Sequence, residues 1–257
     1  MVDISYPLVI AAAKTAFKAL DLKFHFEGLE NIPPKGQGAL IAMNHTSYVD
    51  YLVGGYPGEK VGRYTRFMAK KEIFDHPVGG PLMRSFHHIP VDRAAGLASM
   101  DDAAGYLRRG ELVAIYPEAT ISRSFLIKDL KTGAVRIAAK ANVPVIPMIV
   151  FGTHRVFTKD HPKDLSRHKT VIVKIGEPIP CVEEDPVGQT ENLHKVLSTL
   201  LDQAIQEYPA DEKPAGAWWI PASYGGSAPT LEEAERIDAE EKRERARRKA
   251  EKRAKKK

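Results

Sequence analysis

One cysteine in 257 residues, Cys181, leaves the chain without an internal disulfide framework or a cysteine-based zinc site. That usage suits a reducing compartment. Its setting, Ile179-Pro180-Cys181-Val182 at the end of an extended segment, favours a structural thiol over a nucleophile. No uninterrupted apolar run reaches the ~18 residues that mark a membrane span, so no transmembrane helix is expected. The apolar stretch from Ile4 to Ala13 has no basic residue before it and no small-x-small site after it, which speaks against a signal peptide. His87-His88 and the scattered His154, His161 and His168 lack metal-ligand spacing with carboxylates, so no metal is expected. No glycine-rich phosphate loop follows a strand, which argues against nucleotide hydrolysis and dinucleotide binding. Serine and cysteine are also missing from any nucleophile elbow, so a covalent acyl-enzyme is disfavoured.

What is present is ordinary in bulk and uneven in charge. Apolar residues make up 43% and charged residues 28%, as in soluble globular chains. The length allows one large domain with a proper core, or two small ones. Between Lys242 and Lys257, eleven Lys/Arg face two Glu, a local +9 within a chain of net +5, so the preceding residues sum to −4. The basic character therefore belongs to the tail, and the body is mildly acidic.

Four regions follow from pattern and composition. Residues 1–23 hold an amphipathic helix over 4–20: Leu8, Val9, Ala12, Ala13, Ala16, Phe17 and Leu20 recur at helical spacing, with Lys14 and Lys18 opposite. It either packs on the domain or lies in a membrane interface. Residues 24–208 alternate strand and helix. Strands are expected at Ala39–Met43, Tyr64–Ala69, His88–Val91, Leu112–Tyr116, Val143–Phe151 and Thr170–Ile175. Helices are expected at Ser47–Gly54, Pro81–Phe86, Ala94–Arg109 (closed by Gly110), Gly133–Asn142 and Thr190–Tyr208. This alternation predicts an α/β domain, a mostly parallel central sheet flanked by helices. Residues 209–230 form a Pro/Gly loop around Trp218-Trp219-Ile220-Pro221, which packs on the body or touches lipid. Residues 231–257 are a charged, basic tail with almost no apolar stripe, expected to project into solvent and to be helical only transiently.

Sites in such sheets form where loops leave the carboxyl ends of strands, and His45 and Glu118 each follow a strand. On one continuous helix, His45 and Asp50 would lie ~140° apart and could not touch. They meet if His45 occupies the turn before the helix and Asp50 its first turn. Asn44, Thr46 and Ser47 are turn and cap residues, and Ser47 reads as an N-cap rather than a nucleophile. A carboxylate on one imidazole nitrogen fixes the tautomer and raises the basicity of the other, making a general base toward a hydroxyl. By itself the spacing fits a structural His–Asp bond equally well.

The segment Asn44-His45-Thr46-Ser47-Tyr48-Val49-Asp50 resembles the first signature block of the glycerolipid acyltransferase family that includes 1-acylglycerol-3-phosphate acyltransferases. Three further blocks follow in order: His88-Ile89-Pro90-Val91-Asp92-Arg93, Tyr116-Pro117-Glu118-Ala119-Thr120-Ile121-Ser122, and Val143-Pro144-Val145-Ile146-Pro147-Met148. The resemblance implies a glycerol-3-phosphate acyltransferase-like fold. It also implies transfer of a fatty acyl group from acyl-CoA or acyl-ACP to a lysophospholipid hydroxyl, most simply 1-acylglycerol-3-phosphate to phosphatidic acid. His45 would take the hydroxyl proton and Asp50 would hold His45. Asn44, Arg93, Glu118 and Thr120 would serve the acceptor near its phosphate, as a guanidinium does well. Arg93 could instead pair with Asp92 or Asp101, and Glu118 could instead brace the His45 loop.

The third block departs from the family: Ala119 stands where glycine is usual and Ile121 where arginine is usual. Arg123, Lys128 or Lys131 would then supply the missing charge, Lys131 beside a helix N-terminus. The departure leaves room for another lysolipid or a glycolipid acceptor. No cofactor is implied beyond the acyl donor. An anionic membrane surface is the expected partner, met by the basic tail from the cytoplasmic face as a peripheral or monotopic protein. Specific nucleic-acid binding is not expected, because the tail lacks interleaved aromatics and the body is acidic. A catalytically inactive lipid-binding homologue is opposed by the intact His45–Asp50 pair.

Overall fold

In the computed structural model, which describes residues 5–92 and 96–254, the most apolar runs form the middle of the sheet. β2 (Ala39–Met43) and β6 (Val145–Phe151) are buried at every position, as strands covered on both faces must be. β2 lies parallel to β6 on one side and to β5 (Leu112–Ile115) on the other. β3 (Thr65–Lys70) and β4 (Ile89–Val91) extend the β5 side, both parallel. β7 (Thr170–Ile175) pairs antiparallel with β6, and β1 (Lys23–Glu27) pairs parallel with β7. The order is β1-β7-β6-β2-β5-β3-β4, a mixed seven-stranded sheet in which the antiparallel step falls between β6 and β7.

Period-two alternation divides the core into two layers. Leu40, Ala42, Val113, Ile149 and Phe151 pack with α6 (Gly96–Arg108), α7 (Gly133–Ala141) and α8 (Pro186–Glu207). Ala39, Ile41, Met43, Leu112 and Val150 face the other way, toward Phe17 of α1 (Tyr6–Ala19) and Val53 of α2 (Asp50–Gly54). Helix α1 is thus packed on the domain: the Tyr6 hydroxyl donates to Thr65 O at 2.7 Å, and Phe17 meets Phe24. Leu8 of its predicted apolar stripe points outward, 71% exposed.

Two details depart from expectation, the start of α8 and the tail, and a third falls on one of two open alternatives. Helix α8 starts at Pro186, a turn before Thr190, because Asp185 caps it through Gly188 N and proline suits the first turn. Trp219 is buried against Tyr208 and Phe151, so the loop of 209–230 packs on the body. The tail forms a continuous helix, α9 (Leu231–Ala254). It opens with a reciprocal cap: Glu233 N donates to Thr230 Oγ1, and Thr230 N donates to the Glu233 carboxylate. The pairs Glu241–Arg245, Glu244–Arg248 and Arg247–Glu251 then run along it. The solvent-projecting, transient helix is corrected in its first turns, which are ion-paired to the body as described below.

Candidate active site

Strands β6, β2 and β5 are adjacent and parallel, so their carboxyl-end loops meet on one side of the sheet. The loop after β2 begins with Asn44, whose amide is engaged in both directions by β6. Val150 N donates to its Oδ1 at 2.8 Å, and its Nδ2 donates to Val150 O at 3.0 Å. At 1% exposure, with both of its amide atoms engaged, Asn44 braces the loop.

The following turn is wound around the Asp50 carboxylate. Oδ2 accepts from His45 Nδ1 at 3.0 Å and from Thr46 N and Ser47 N at 2.7 Å each. Oδ1 accepts from Thr153 Oγ1 at 2.5 Å. Four donors thereby offset the burial of a fully enclosed carboxylate. Helix α2 starts at Asp50 itself, so His45 does lie in the turn before it, and this is how residues five apart can touch. Val49 rather than Ser47 directly precedes the helix, but Ser47 Oγ accepts from Val49 N at 3.1 Å as a turn residue does; its hydroxyl donates to Phe157 O at 2.6 Å and is fully buried, which removes it as a nucleophile.

The Asp50 acceptor places the His45 proton on Nδ1 and leaves the lone pair on Nε2. The imidazole stacks on Tyr116 with centroids 4.1 Å apart and retains 22% exposure. The chain on both sides of the ring is fixed by the loop after β5. His45 N donates to Glu118 Oε1 at 2.8 Å, and His45 O accepts from Ser122 N at 2.7 Å. Ala119 adopts a left-handed φ of 61° in that loop, which accounts for glycine being usual there.

Glu118 also accepts from Lys128 N at 3.1 Å, so both of its oxygens hold backbone. That is the bracing role which its sequence position left open. Burial pushes its carboxyl up to about 8. The folded state then holds a proton that the unfolded chain releases between the ordinary glutamate range and about pH 8. Stability from this group therefore falls as pH rises through that window, by about 1.4 kcal/mol per pH unit at the steepest. Glu118→Gln should remove the slope; urea unfolding at intervals from pH 5 to 9 measures the difference between the two proteins.

The remaining expected residues divide. Thr120 is exposed, and its Oγ1 accepts from Lys128 Nζ at 2.8 Å. Lys131 is exposed just before α7, its backbone N donating to Pro117 O at 2.9 Å. Arg93 lies outside the described residues. Arg123, expected to offer charge to a phosphate, is instead 7% exposed and ion-paired with Asp160, Asp238 and Glu241. Two contributors escaped the sequence reading: Thr153, which reaches Asp50 from the end of β6, and Tyr116, the platform for His45. Their positions just past strand ends were the available signal. Among the described residues, no group of three or more His, Cys, Asp or Glu is placed to hold a metal.

The family model described as Acyltransferase matches residues 23–151, a span that takes in His45, Asp50 and Glu118. A 1-acyl-sn-glycerol-3-phosphate acyltransferase of Limnanthes douglasii is 31% identical over 72% of this chain and 67% of its own. That of Bacillus subtilis is 31% identical over 69% of this chain and 84% of its own. A chloroplast counterpart from Arabidopsis thaliana is 30% identical, but this chain spans only 44% of its length. The crystal structure of the 1-acyl-sn-glycerophosphate acyltransferase of Thermotoga maritima superimposes with a TM-score of 0.64 at 23% identity, covering 79% of this chain and 80% of that one, and shares the fold. A domain match over half the chain and a bacterial relative aligned over most of its length place this protein in the glycerolipid acyltransferase family.

Proposed function

We propose that the protein acylates the free hydroxyl of 1-acylglycerol-3-phosphate, giving phosphatidic acid, with acyl-CoA or acyl-ACP as donor. The observation that carries this reading is the His45–Asp50 geometry: Nδ1 held on a buried carboxylate, Nε2 left with its lone pair on a partly exposed ring. Nε2 takes the acceptor's hydroxyl proton as the oxygen attacks the thioester carbonyl. The tetrahedral intermediate collapses with cleavage of the C–S bond, and the imidazolium returns the proton to the departing thiolate. Asp50 stabilises the imidazolium between these steps.

A small, mostly apolar groove between α1 and α2, lined by Ile10, Ala13, Phe17, Leu52, Tyr56 and Phe67 together with Lys14, Glu59 and His88, is the candidate for contact with the acyl chain. Phe67 stacks toward Tyr116, and Leu52 lies two residues past Asp50. No helix among the described residues is long and apolar enough to cross a membrane. Leu8, Val78 and Leu82 are exposed apolar side chains, and Ser5 at the head of α1 donates to Ser85 at the end of α5 (Gly79–Ser85). The exposed apolar side chains favour contact with a membrane surface.

The test offers the purified protein a panel of lysolipids with labelled acyl-CoA, then acyl-ACP, with products identified by mass spectrometry. Transfer to 1-acylglycerol-3-phosphate is expected. Selective transfer to another lysolipid would replace the acceptor, and none to any acceptor would defeat the reading. Thr153→Val, which removes the donor to Asp50 Oδ1, should lower kcat about 10-fold and cost roughly 1 kcal/mol of stability, read by steady-state kinetics and urea unfolding.

A further inference from the structure

Arg123 and Lys128, from the loop after β5, and Lys159, from the segment after β6, converge on one helix. Asp238 bridges all three: it pairs with Arg123, lies 2.5 Å from Lys128 Nζ and lies 3.5 Å from Lys159 Nζ. Glu241 accepts from Arg123 at 3.0 Å and lies 3.5 Å from Lys159 Nζ. Each cation is wired to the His45 turn. Arg123 follows Ser122, whose N–H donates to His45 O; Lys159 follows Thr158, whose hydroxyl donates to Thr46 O at 2.6 Å. Lys128 N donates to the Glu118 carboxylate that also holds His45 N.

The charges balance only while α9 is in place. Arg123, Lys128 and Lys159 face Asp160, Asp238 and Glu241, with Glu235 of α9 and Glu118 of the body also acting on Lys128; withdrawing α9 leaves the three cations against Asp160 and Glu118, whose carboxyl burial keeps protonated near neutral pH. The net +2 then exposed beside the His45 turn matches a phosphomonoester, which carries about −1.5 to −2 near neutral pH.

The contact that holds α9 is made for release. Its inward positions are Ala234, Ile237, Asp238 and Glu241, one helical stripe in which Ala234 alone is fully buried. The ion pairs of Asp238 and Glu241 are a part of this contact that salt weakens. From Lys242 the described side chains are exposed, and there the sequence turns strongly basic. One rigid helix joins an acidic patch on the site to a cationic segment that an anionic bilayer attracts.

We propose that α9 is an intramolecular plug: Asp238 and Glu241 occupy the seat of the acceptor's phosphate on Arg123, Lys128 and Lys159, and phosphomonoester lipid and anionic membrane together displace them. This rests on the reading that the chain acylates a phosphate-bearing lysolipid. Substrate and plug compete for one set of cations, so each weakens the other by the same factor.

The test uses full-length protein and the double substitution Asp238→Asn, Glu241→Gln. Hydrogen exchange of residues 231–241 is followed on phosphatidylcholine vesicles carrying 1-acylglycerol-3-phosphate or, as control, uncharged 1-acylglycerol. Exchange in the wild type should rise about 10-fold with the phosphate lipid and not with the control. The variant should exchange fast without ligand, and its kcat/KM on neutral vesicles should exceed wild type about 10-fold, the gap closing on phosphatidylglycerol vesicles. Wild-type exchange unmoved by the phosphate lipid, or equal kcat/KM on neutral vesicles, would overturn the plug. If exchange responds but neither protein transfers acyl groups to any acceptor, the acyltransferase reading fails, while the competition between phosphomonoester lipid and α9 for these cations stands.

Discussion

Replacing His45 with alanine is expected to lower kcat for acyl transfer by about 10²–10⁴-fold, with the unfolding midpoint close to wild type. The imidazole is the group with both a held proton and a free lone pair at the strand ends, and alanine offers neither. The fold should tolerate the loss. Asp50 keeps three of its four donors, Thr46 N, Ser47 N and Thr153 Oγ1, so the turn retains its anchor. His45 N and O remain bonded to Glu118 and Ser122 through the backbone. The space left beside Tyr116 adjoins a partly exposed position and can fill with water. KM should change little, since the ring acts on the reacting proton rather than on the head group. Turnover within a few-fold of wild type by a protein with unchanged circular dichroism would remove the general-base role.

The parts of this fold legible in the sequence were those written in one segment. Ala39–Met43 and Thr170–Ile175 match β2 and β7 residue for residue: the first is an apolar run of strand length, the second an alternating segment rich in β-branched residues. The His45 turn was legible for a similar reason: turn residues, then an acid at the spacing a strand–helix corner permits. Pairings between distant segments were not. No local pattern specifies that β7 runs against β6, or that Thr153 donates to Asp50 across more than a hundred residues. Arg123 shows the limit best. Its position beside the third block suggested a charge for the acceptor, yet it pairs with Asp160 and with two carboxylates on a helix more than a hundred residues later. Charge alone names no partner. Helix α9 carries a local start signal in Thr230-Leu231-Glu232-Glu233, a capping box.

Asp50 should separate into two roles when it is changed in two ways. Asp50→Ala leaves Thr46 N, Ser47 N, Thr153 Oγ1 and His45 Nδ1 without their acceptor in a buried site, each at about 1–3 kcal/mol. Against a total stability of about 5–15 kcal/mol, that variant should be severely destabilised. Asp50→Asn keeps the shape. Its amide oxygen can face His45, Thr46 and Ser47, while its NH₂ donates to Thr153, whose hydroxyl can rotate to accept. The turn survives, but the negative charge behind the imidazolium is lost, so kcat should fall by about 10²–10⁴-fold in a folded protein. The double substitution His45→Ala, Asp50→Asn then decides whether the two act as a unit. If Asp50 works only through His45, the double variant is no slower than His45→Ala alone, because nothing remains for the carboxylate to orient. Losses that multiply instead would mean that Asp50 acts on the reaction by another route, and the pair would have to be abandoned as the catalytic device.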